Sequence, residues 1–247
     1  MYITDKGEKV FVMDGHTHLW DARKDNRKNR YGSTFIETFW NGHTGMSPPE
    51  NVWDLNRFEY YGAKAAEKDL FEKGYVDVAV MQPTYLYEFY NEGFNTVEQC
   101  SALKKLRPEN VVLNGRIDPR DGKKGISKLE SDFDKWKFKG VKLYTAEWRG
   151  ESKGYKLSEP IVKPYLDKLV ELGKIHKVES LNSFIICNNS NCASNTAFTI
   201  CERCGKVKEI KNNNLTEGVN ELVRENKLNI TRYNLEFYVV CKTCKIN

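Results

Sequence analysis

The sequence lacks the features of a membrane protein and of a strongly basic nucleic-acid-binding protein. No apolar run approaches the roughly 20 residues needed to span a bilayer. The N-terminal stretch MYITDKGEKVFVMDG alternates charged and apolar residues, which is typical of a first strand and not of a signal peptide. The 39 basic and 34 acidic residues leave a net charge of only +5, too small by itself to indicate nucleic-acid binding. We therefore expect a cytoplasmic protein with no membrane segment.

Tryptophan and cysteine are scarce in opposite parts of the chain. All five Trp lie in the first 150 residues, whereas six of the seven Cys lie after residue 186. A chain of 247 residues can form one α/β barrel or two smaller domains, and this change in composition favours two regions of different origin. In a reducing compartment, closely spaced cysteines favour metal ligation over disulfides.

Strand-like and helix-like segments alternate in residues 1–173. The strand-like segments are KVFVMDGHTH, VDVAVMQP, NVVLNGRIDP and KGVKLY, and the helix-like segments are AKAAEKDLFEKG, NTVEQCSALKKLRPE, GISKLESDFDKWKF and SEPIVKPYLDKLVELG. This alternation predicts parallel βα units. The predicted fold class is α/β, a partial TIM-like barrel of about half the usual eight units. Its open edges and inner face would be covered by a second copy of the chain, by the tail region, or by nothing.

Two histidines follow the first predicted strand, in the sequence DGHTHLW. His16 and His18 are two residues apart on a strand, so both imidazoles can reach one divalent ion. Lys142 ends the fourth predicted strand. It is either a carboxylated metal ligand or, as we favour, a lysine in solvent or in contact with a substrate, because modification of a lysine requires special desolvation.

Residues 1–173 resemble the amidohydrolase-related family, in the branch of aminocarboxymuconate-semialdehyde decarboxylase-like enzymes. The matching stretches are DGHTHLW, VDVAVMQPTYLY, NGRIDPRDG and FKGVKLYTAEWRG. The resemblance implies a metal-dependent hydrolase or decarboxylase of a small molecule, with His16 and His18 as metal ligands. It ends near Gly173, before the later histidines and the aspartate that complete the site in that family. After His18 only His43, in a probable loop, and His176 remain, so we assign no catalytic residue and expect an inactive, incomplete site.

Two CxxC motifs lie in residues 174–247, Cys201–Cys204 and Cys241–Cys244. Each presents two thiolates from one tight turn, and together they predict a tetrahedral zinc site that stabilises a small domain. A disulfide or redox pair is the disfavoured alternative. The helix NLTEGVNELVRENK and the strand NITRYNLEFYVV lie between the motifs, so we predict a small α+β zinc-binding domain.

Residues 174–247 resemble the C-terminal dimerisation and metal-sensing domain of the ferric uptake regulator superfamily, above all its zinc uptake regulator branch. The resemblance is carried by IHKVESLNSFIIC, FTICERCGKVKEI and FYVVCKTC. It implies a homodimer with a structural zinc on the four CxxC cysteines. It also implies a second, regulatory zinc on His176, Cys187 and Glu209, where Cys192 would replace a ligand missing at Ser194. Residues 1–173 do not resemble the winged helix with which these regulators read DNA, so we do not expect sequence-specific DNA binding.

Three functions remain open on the sequence alone. The chain is a metal-dependent hydrolase whose tail provides dimerisation and structural zinc, or a zinc sensor with a new partner domain. The third hypothesis is a junction of two interrupted genes that has no integrated function. It is motivated by the two resemblances, which meet within a residue or two of Gly173 without a linker rich in Gly, Pro or Ser.

Overall fold

A computed structural model describes residues 2–173, 175–181, 183–187, 196–210, 213–230 and 233–245. The chain divides into two compact units, Met1–Val162 (unit 1) and Lys163–Asn247 (unit 2). The helix that follows this division belongs to unit 2, whereas the sequence analysis places the domain boundary after that helix, at 173/174. That boundary stays a prediction.

Unit 1 is built on short strands and on helices of very different length. Its strands are β1 (Tyr2–Ile3), β2 (Lys9–Val10), β3 (Met13–Thr17), β4 (Trp20–Asp21), β5 (Tyr60–Tyr61), β6 (Val78–Met81), β7 (Val111–Ile117) and β8 (Gly140–Leu143). Its helices are α1 (Arg30–Met46), α2 (Leu55–Phe58), α3 (Ala63–Ala66), α4 (Val97–Leu106) and α5 (Gly122–Trp136), and α3 continues into a π-helical segment at Glu67–Lys73.

The main sheet of unit 1 has the strand order β3-β6-β7-β8, and each neighbouring pair is parallel. On the outer face of β7, alternate residues from Val111 to Ile117 are buried, and α4 and α5 pack against this strand. Gly115 belongs to this face, where a β-carbon would lie 2.4 Å from the ring of Phe138. The curled parallel sheet confirms the prediction of a partial TIM-like barrel.

The long segment between β3 and β6 contains an aromatic cluster and the helix α1. Asn29 caps the N-terminus of α1 by accepting from the Tyr31 N–H, and the helix ends at Ser47, directly before two prolines. His43 therefore lies in a helix, and the prediction of a loop at this position is wrong. Its ring stacks on Phe58 with centroids 4.9 Å apart. This packing outweighs the low helix propensity of the glycines and asparagine in NGHTGMSPP.

Unit 2 is a small α+β unit. Its strands are β9 (Ile175–Val178), β10 (Ser183–Ile186), β11 (Thr196–Cys201), β12 (Val207–Ile210) and β13 (Asn234–Val239), and its helices are α6 (Lys163–Glu171), α7 (Asn213–Glu225) and α8 (Lys242–Lys245). One sheet pairs β9 with β10, and the other has the order β12-β11-β13, with β11 and β13 parallel. Val178, Phe198 and Ile200 form its core. The predicted small α+β domain is confirmed.

No helix formed by the described residues has both the length and the apolar character needed to cross a bilayer.

Candidate metal centres

The four cysteines of the CxxC motifs meet at one end of the β11–β13 pair. Cys201 ends β11 opposite Val239, and because these two strands run parallel, their C-terminal ends lie side by side. The four Sγ atoms all lie within 4.8 Å of one another, and those of Cys204 and Cys241 are 3.8 Å apart. Two thiolates on one tetrahedral zinc are also separated by about 3.8 Å, since the Zn–S bond is about 2.3 Å. The spacing of the four cysteines therefore fits a bound zinc ion.

Backbone donors favour the thiolate form at this cluster. The N–H of Cys241 donates to the Cys201 sulfur at 3.4 Å, and this bond, with a further one from the Cys204 N–H, lowers the pKa of the Cys201 thiol to about 6. The N–H of Cys244 likewise lowers the pKa of Cys241. Thiolates are the metal-binding form of cysteine, so the backbone prepares Cys201 and Cys241 for a cation. The neighbouring Cys241 sulfur instead raises the pKa of Cys244, because several thiolates this close repel one another when no cation lies between them.

A second group in unit 2 brings together an imidazole, a thiol and a carboxylate. His176 lies in β9, Cys187 directly follows β10, and Glu209 lies in β12. Their ligand atoms lie within 4.8 Å of one another, and His176 Nε2 is 3.9 Å from Glu209 Oε1. These two side chains are only 9% and 7% exposed. This buried set also fits zinc, because each of the three is a zinc ligand type.

Burial also keeps the imidazole of this group in its neutral, ligating form. The pKa of His176 is lowered by burial, and the negative charge of Glu209 opposes that shift. Cys192, the predicted fourth ligand, lies outside the described residues, as does Ser194.

The first predicted metal pair lies at the mouth of the half-barrel in unit 1. Between Asp14 and Thr17 the register of β3 against β6 shifts, because β3 contains one extra residue. Thr17 then points to the buried outer face, so His16 and His18 project from the inner face. Their ring centroids are 4.8 Å apart, and His16 Nε2 lies 3.3 Å from Lys142 Nζ. The strand-end lysine therefore contacts the histidine pair.

The hydrogen bonds of His18 place its proton on Nε2, and a protonated nitrogen cannot bind a metal ion. The Asn95 amide nitrogen donates to the Gln82 carbonyl oxygen at 3.0 Å and lies 2.9 Å from His18 Nδ1. Since a carbonyl only accepts, the Asn95 atom is a donor, His18 Nδ1 accepts from it, and the neutral ring carries its proton on Nε2. Burial, then the positive charges of His16 and Lys142, lower the pKa of His18 to about 4.

Within the described part of the chain, no third His, Cys, Asp or Glu joins the histidine pair in a close ligand group. Among the described residues, the only groups of three or more His, Cys, Asp or Glu with ligand atoms this close are the two in unit 2. A divalent metal on His18 Nε2 would require the opposite tautomer of this ring, and no third His, Cys, Asp or Glu of the described chain is close enough to complete the set. The residues of unit 1 do not fit a closed metal centre.

Sequence reasoning missed an ionic network beside this mouth. A cleft of about 460 Å³ opens at the C-terminal ends of β6 and β7. At its base Arg116 donates to Glu147 at 2.6 Å, and Arg120 forms two bonds to Asp118 at 2.8 and 2.7 Å. Burial raises the pKa of Asp118, but the bonds from Arg120 outweigh it and the pKa lies below its usual value. The signal was present in NGRIDPRDG and TAEWRG, whose charged residues directly follow predicted strands.

Two family models match the chain. The model described as Amidohydrolase matches residues 13–179, and that of the Ferric uptake regulator family matches residues 154–238. Because the first match spans more than half of the sequence, the chain belongs to the amidohydrolase family. Both resemblances inferred from the sequence are confirmed.

The curated relatives match the C-terminal part. The zinc uptake regulation proteins of Escherichia coli (strain K12) and of Shigella flexneri are each 42% identical to this chain over 72 residues, which is 27% of this chain and 40% of the relative. The match thus spans less than half of the length of these relatives.

Among solved structures, a zinc uptake regulator complexed with zinc and DNA is 32% identical, with a TM-score of 0.34, and the match covers 35% of this chain and 59% of that one. The 4-oxalomesaconate hydratase of Rhodopseudomonas palustris is 19% identical, with a TM-score of 0.38, over 66% of this chain and 50% of that one.

Proposed function

We propose that this chain is a zinc-binding, zinc-responsive protein whose metal chemistry resides in unit 2. One zinc ion binds to the four cysteines of the CxxC motifs and has a structural role. A second zinc ion binds to His176, Cys187 and Glu209 and has a regulatory role. The observation that carries this proposal is the convergence of two ligand sets in one small unit.

The structural site acts through folding. Two of its thiolates come from the turn after β11 and two from the segment after β13, so a bound zinc ion cross-links the ends of two strands that are distant in sequence. Zinc supplies four strong metal–sulfur bonds to a unit whose core is small, and such binding energy is folding energy.

The second site has the features of a sensor because its ligands come from both sheets of unit 2. His176 lies in β9 and Cys187 directly follows β10, whereas Glu209 belongs to the sheet that contains β11. Occupancy would fix these two sheets against each other, whereas release of the ion would free that restraint. A ligand that binds one arrangement better shifts the population toward it.

We also propose a homodimer formed through unit 2. The helix α7 is amphipathic, yet Leu222 is 53% exposed, and on β13 Phe237 and Tyr238 are 41% and 55% exposed. The support for this interface is that large apolar side chains are exposed on both of these elements. The expectation that this chain reads no specific DNA sequence stays a prediction.

Elemental analysis of full-length protein tests the two zinc sites. We expect two zinc ions per chain. Cys187→Ser should lose only the second ion, whereas Cys204→Ser should lose both, because the second ligand set requires a folded unit 2. Thr243→Ser, a change within the second CxxC motif that removes no thiol, is the matched control and retains both ions. One zinc ion in both the wild type and Cys187→Ser would refute the regulatory site.

A metal-dependent hydrolase or decarboxylase in unit 1 is the second candidate. It is favoured by the contacts of His16 with His18 and with Lys142 at the strand ends. Its substrate class would be a small carboxylated or lactone-like molecule. Turnover that is unchanged in His16→Ala would exclude these residues from the reaction.

A further inference from the structure

The two faces of the parallel sheet in unit 1 are unequally covered. The outer face is buried, as Ala79, Met81 and Leu113 show with exposures of 5% or less. On the inner face Met13, the register partner of Val78, is 56% exposed, and Phe11, two residues earlier, is 60% exposed. Val80 and Val112 on the same face are only partly buried. In a closed barrel these positions form the packed interior.

Both edges of this sheet are also open. Within residues 2–162, β3 pairs only with β6 and β8 pairs only with β7. Each edge strand therefore presents a row of backbone N–H and C=O groups without strand partners, which is the usual template for pairing with another chain. The open edges and the open inner face belong to the same surface.

We propose that a second copy of this chain closes the barrel, with β8 of each copy paired in parallel to β3 of the other. A two-fold axis along the barrel makes both pairings at once and satisfies both edges of both copies. Two sheets of this order then give eight parallel strands, the number at which such a barrel closes around packed side chains. An unrelated partner would need two edge strands that run parallel to β3 and β8 and lie as far apart as those two strands do. A second copy of the chain has such edges, and we therefore assign the surface to it.

Closure would also change the incomplete site. The inner face is apolar toward the start of β3 and polar at its end, where His16, His18 and Lys142 lie. In the closed pair, the polar ends of the two copies border one shared mouth. The histidine pair of each copy would then border side chains of the other copy. This proposal goes beyond the zinc sites of unit 2 and does not depend on them.

Hydrogen exchange on the full-length, zinc-loaded protein tests the closure. We expect the amides of β3 and β8 to exchange roughly tenfold or more slowly at high than at low protein concentration, because pairing protects edge amides. Met13→Lys places a charge on the inner face and should abolish this dependence. Met46→Lys, at an 84% exposed position of α1, is the matched control and should retain it. Exchange of these strands that is independent of concentration in the wild type would overturn the proposal.

A cross-linking experiment identifies the partner strand and does not require a destabilising charge. Photoreactive benzoylphenylalanine at position 13 is placed in a mixture of ¹⁴N- and ¹⁵N-labelled chains, so that links between copies carry both labels. We expect mixed-label links to residues 139–145, and none from the same probe at position 46. Links within one copy only, or links to other segments, would overturn the closure even if the zinc content remained two ions per chain.

Discussion

Unit 2 brings together one set of four metal ligands and one of three, whereas unit 1 brings together two imidazoles and an amine. In unit 2 each CxxC turn supplies two ligands locally, so one strand pairing is enough to assemble four. In unit 1 the pair after β3 depends on other strands for further ligands, and the described residues supply only Lys142 at the same mouth. A metal site made of local pairs survives in a small domain, while one distributed over a barrel requires the whole barrel.

Removal of the structural zinc should give the largest effect and act on unit 2 alone. For Cys204→Ser we expect loss of the folded unit 2, since structural zinc contributes on the order of 10 kcal/mol to such domains. Circular dichroism and hydrogen exchange would follow unit 2, and Trp fluorescence would follow unit 1, because all five Trp lie there. Thr243→Ser should behave as the wild type. A folded unit 2 in the cysteine variant would show that unit 2, like unit 1, folds without the structural zinc.

Breaking the ionic network should destabilise unit 1 and leave zinc binding unchanged. Glu147→Ala removes the nearer of two carboxylate partners of Arg116, whose side chain is only 8% exposed, and leaves Asp118 at 3.5 Å. Loss of one partner from a buried ion network costs up to about 3 kcal/mol, so the urea midpoint followed by Trp fluorescence should fall. Glu151→Ala, at an exposed position, is the control. Equal midpoints for the two variants would show that the network does not hold unit 1 together.

Acidification should weaken unit 1 through His18. Its folded pKa of about 4 lies below the ordinary value of 6.5, so the unfolded chain binds the proton more tightly. Its contribution is therefore fully present above pH 6.5 and is lost as the pH falls toward 4, a change on the order of 3 kcal/mol. Urea midpoints between these pH values should fall more steeply for the wild type than for His18→Gln. Parallel slopes would contradict the burial of a neutral imidazole.

The smallest effect concerns the packing that shapes the sheet. Gly115→Ala places a methyl group against the buried ring of Phe138, and overpacking of this kind costs about 2 kcal/mol. Gly15→Ala is the matched control, because no atom lies within 4 Å of the added carbon. Thermal unfolding followed by Trp fluorescence measures both. A similar loss for the two variants would mean that backbone freedom, and not contact with Phe138, is the cause.

The four strands of the half-barrel and the four-cysteine site could be predicted because their signals are local. Apolar runs that alternate with amphipathic segments indicate βα units, and each CxxC motif carries its geometry within one turn. The bulge in β3 could not be predicted, since it depends on the register against β6. The pairing of Arg116 with Glu147 joins residues that are 31 positions apart, and no single motif shows that contact. The helix around His43 was missed because its residues have weak helix propensity, and it is tertiary packing that makes this segment helical.

The position of the junction between the two regions remains a prediction. Both family matches include residues 154–179, and α6 (Lys163–Glu171) lies within this overlap. The compact units divide before α6, whereas the two resemblances meet after it. A long sequencing read across the codons for residues 172–176 would test the gene-junction hypothesis directly.

The parallel pairing of β11 with β13 has a consequence for how the chain is made. The turn with Cys201 and Cys204 is translated before α7 and β13, and Cys241 and Cys244 follow β13. The four-sulfur cage can therefore close only after β13 has been made, so capture of the ion is a late step in the folding of this unit.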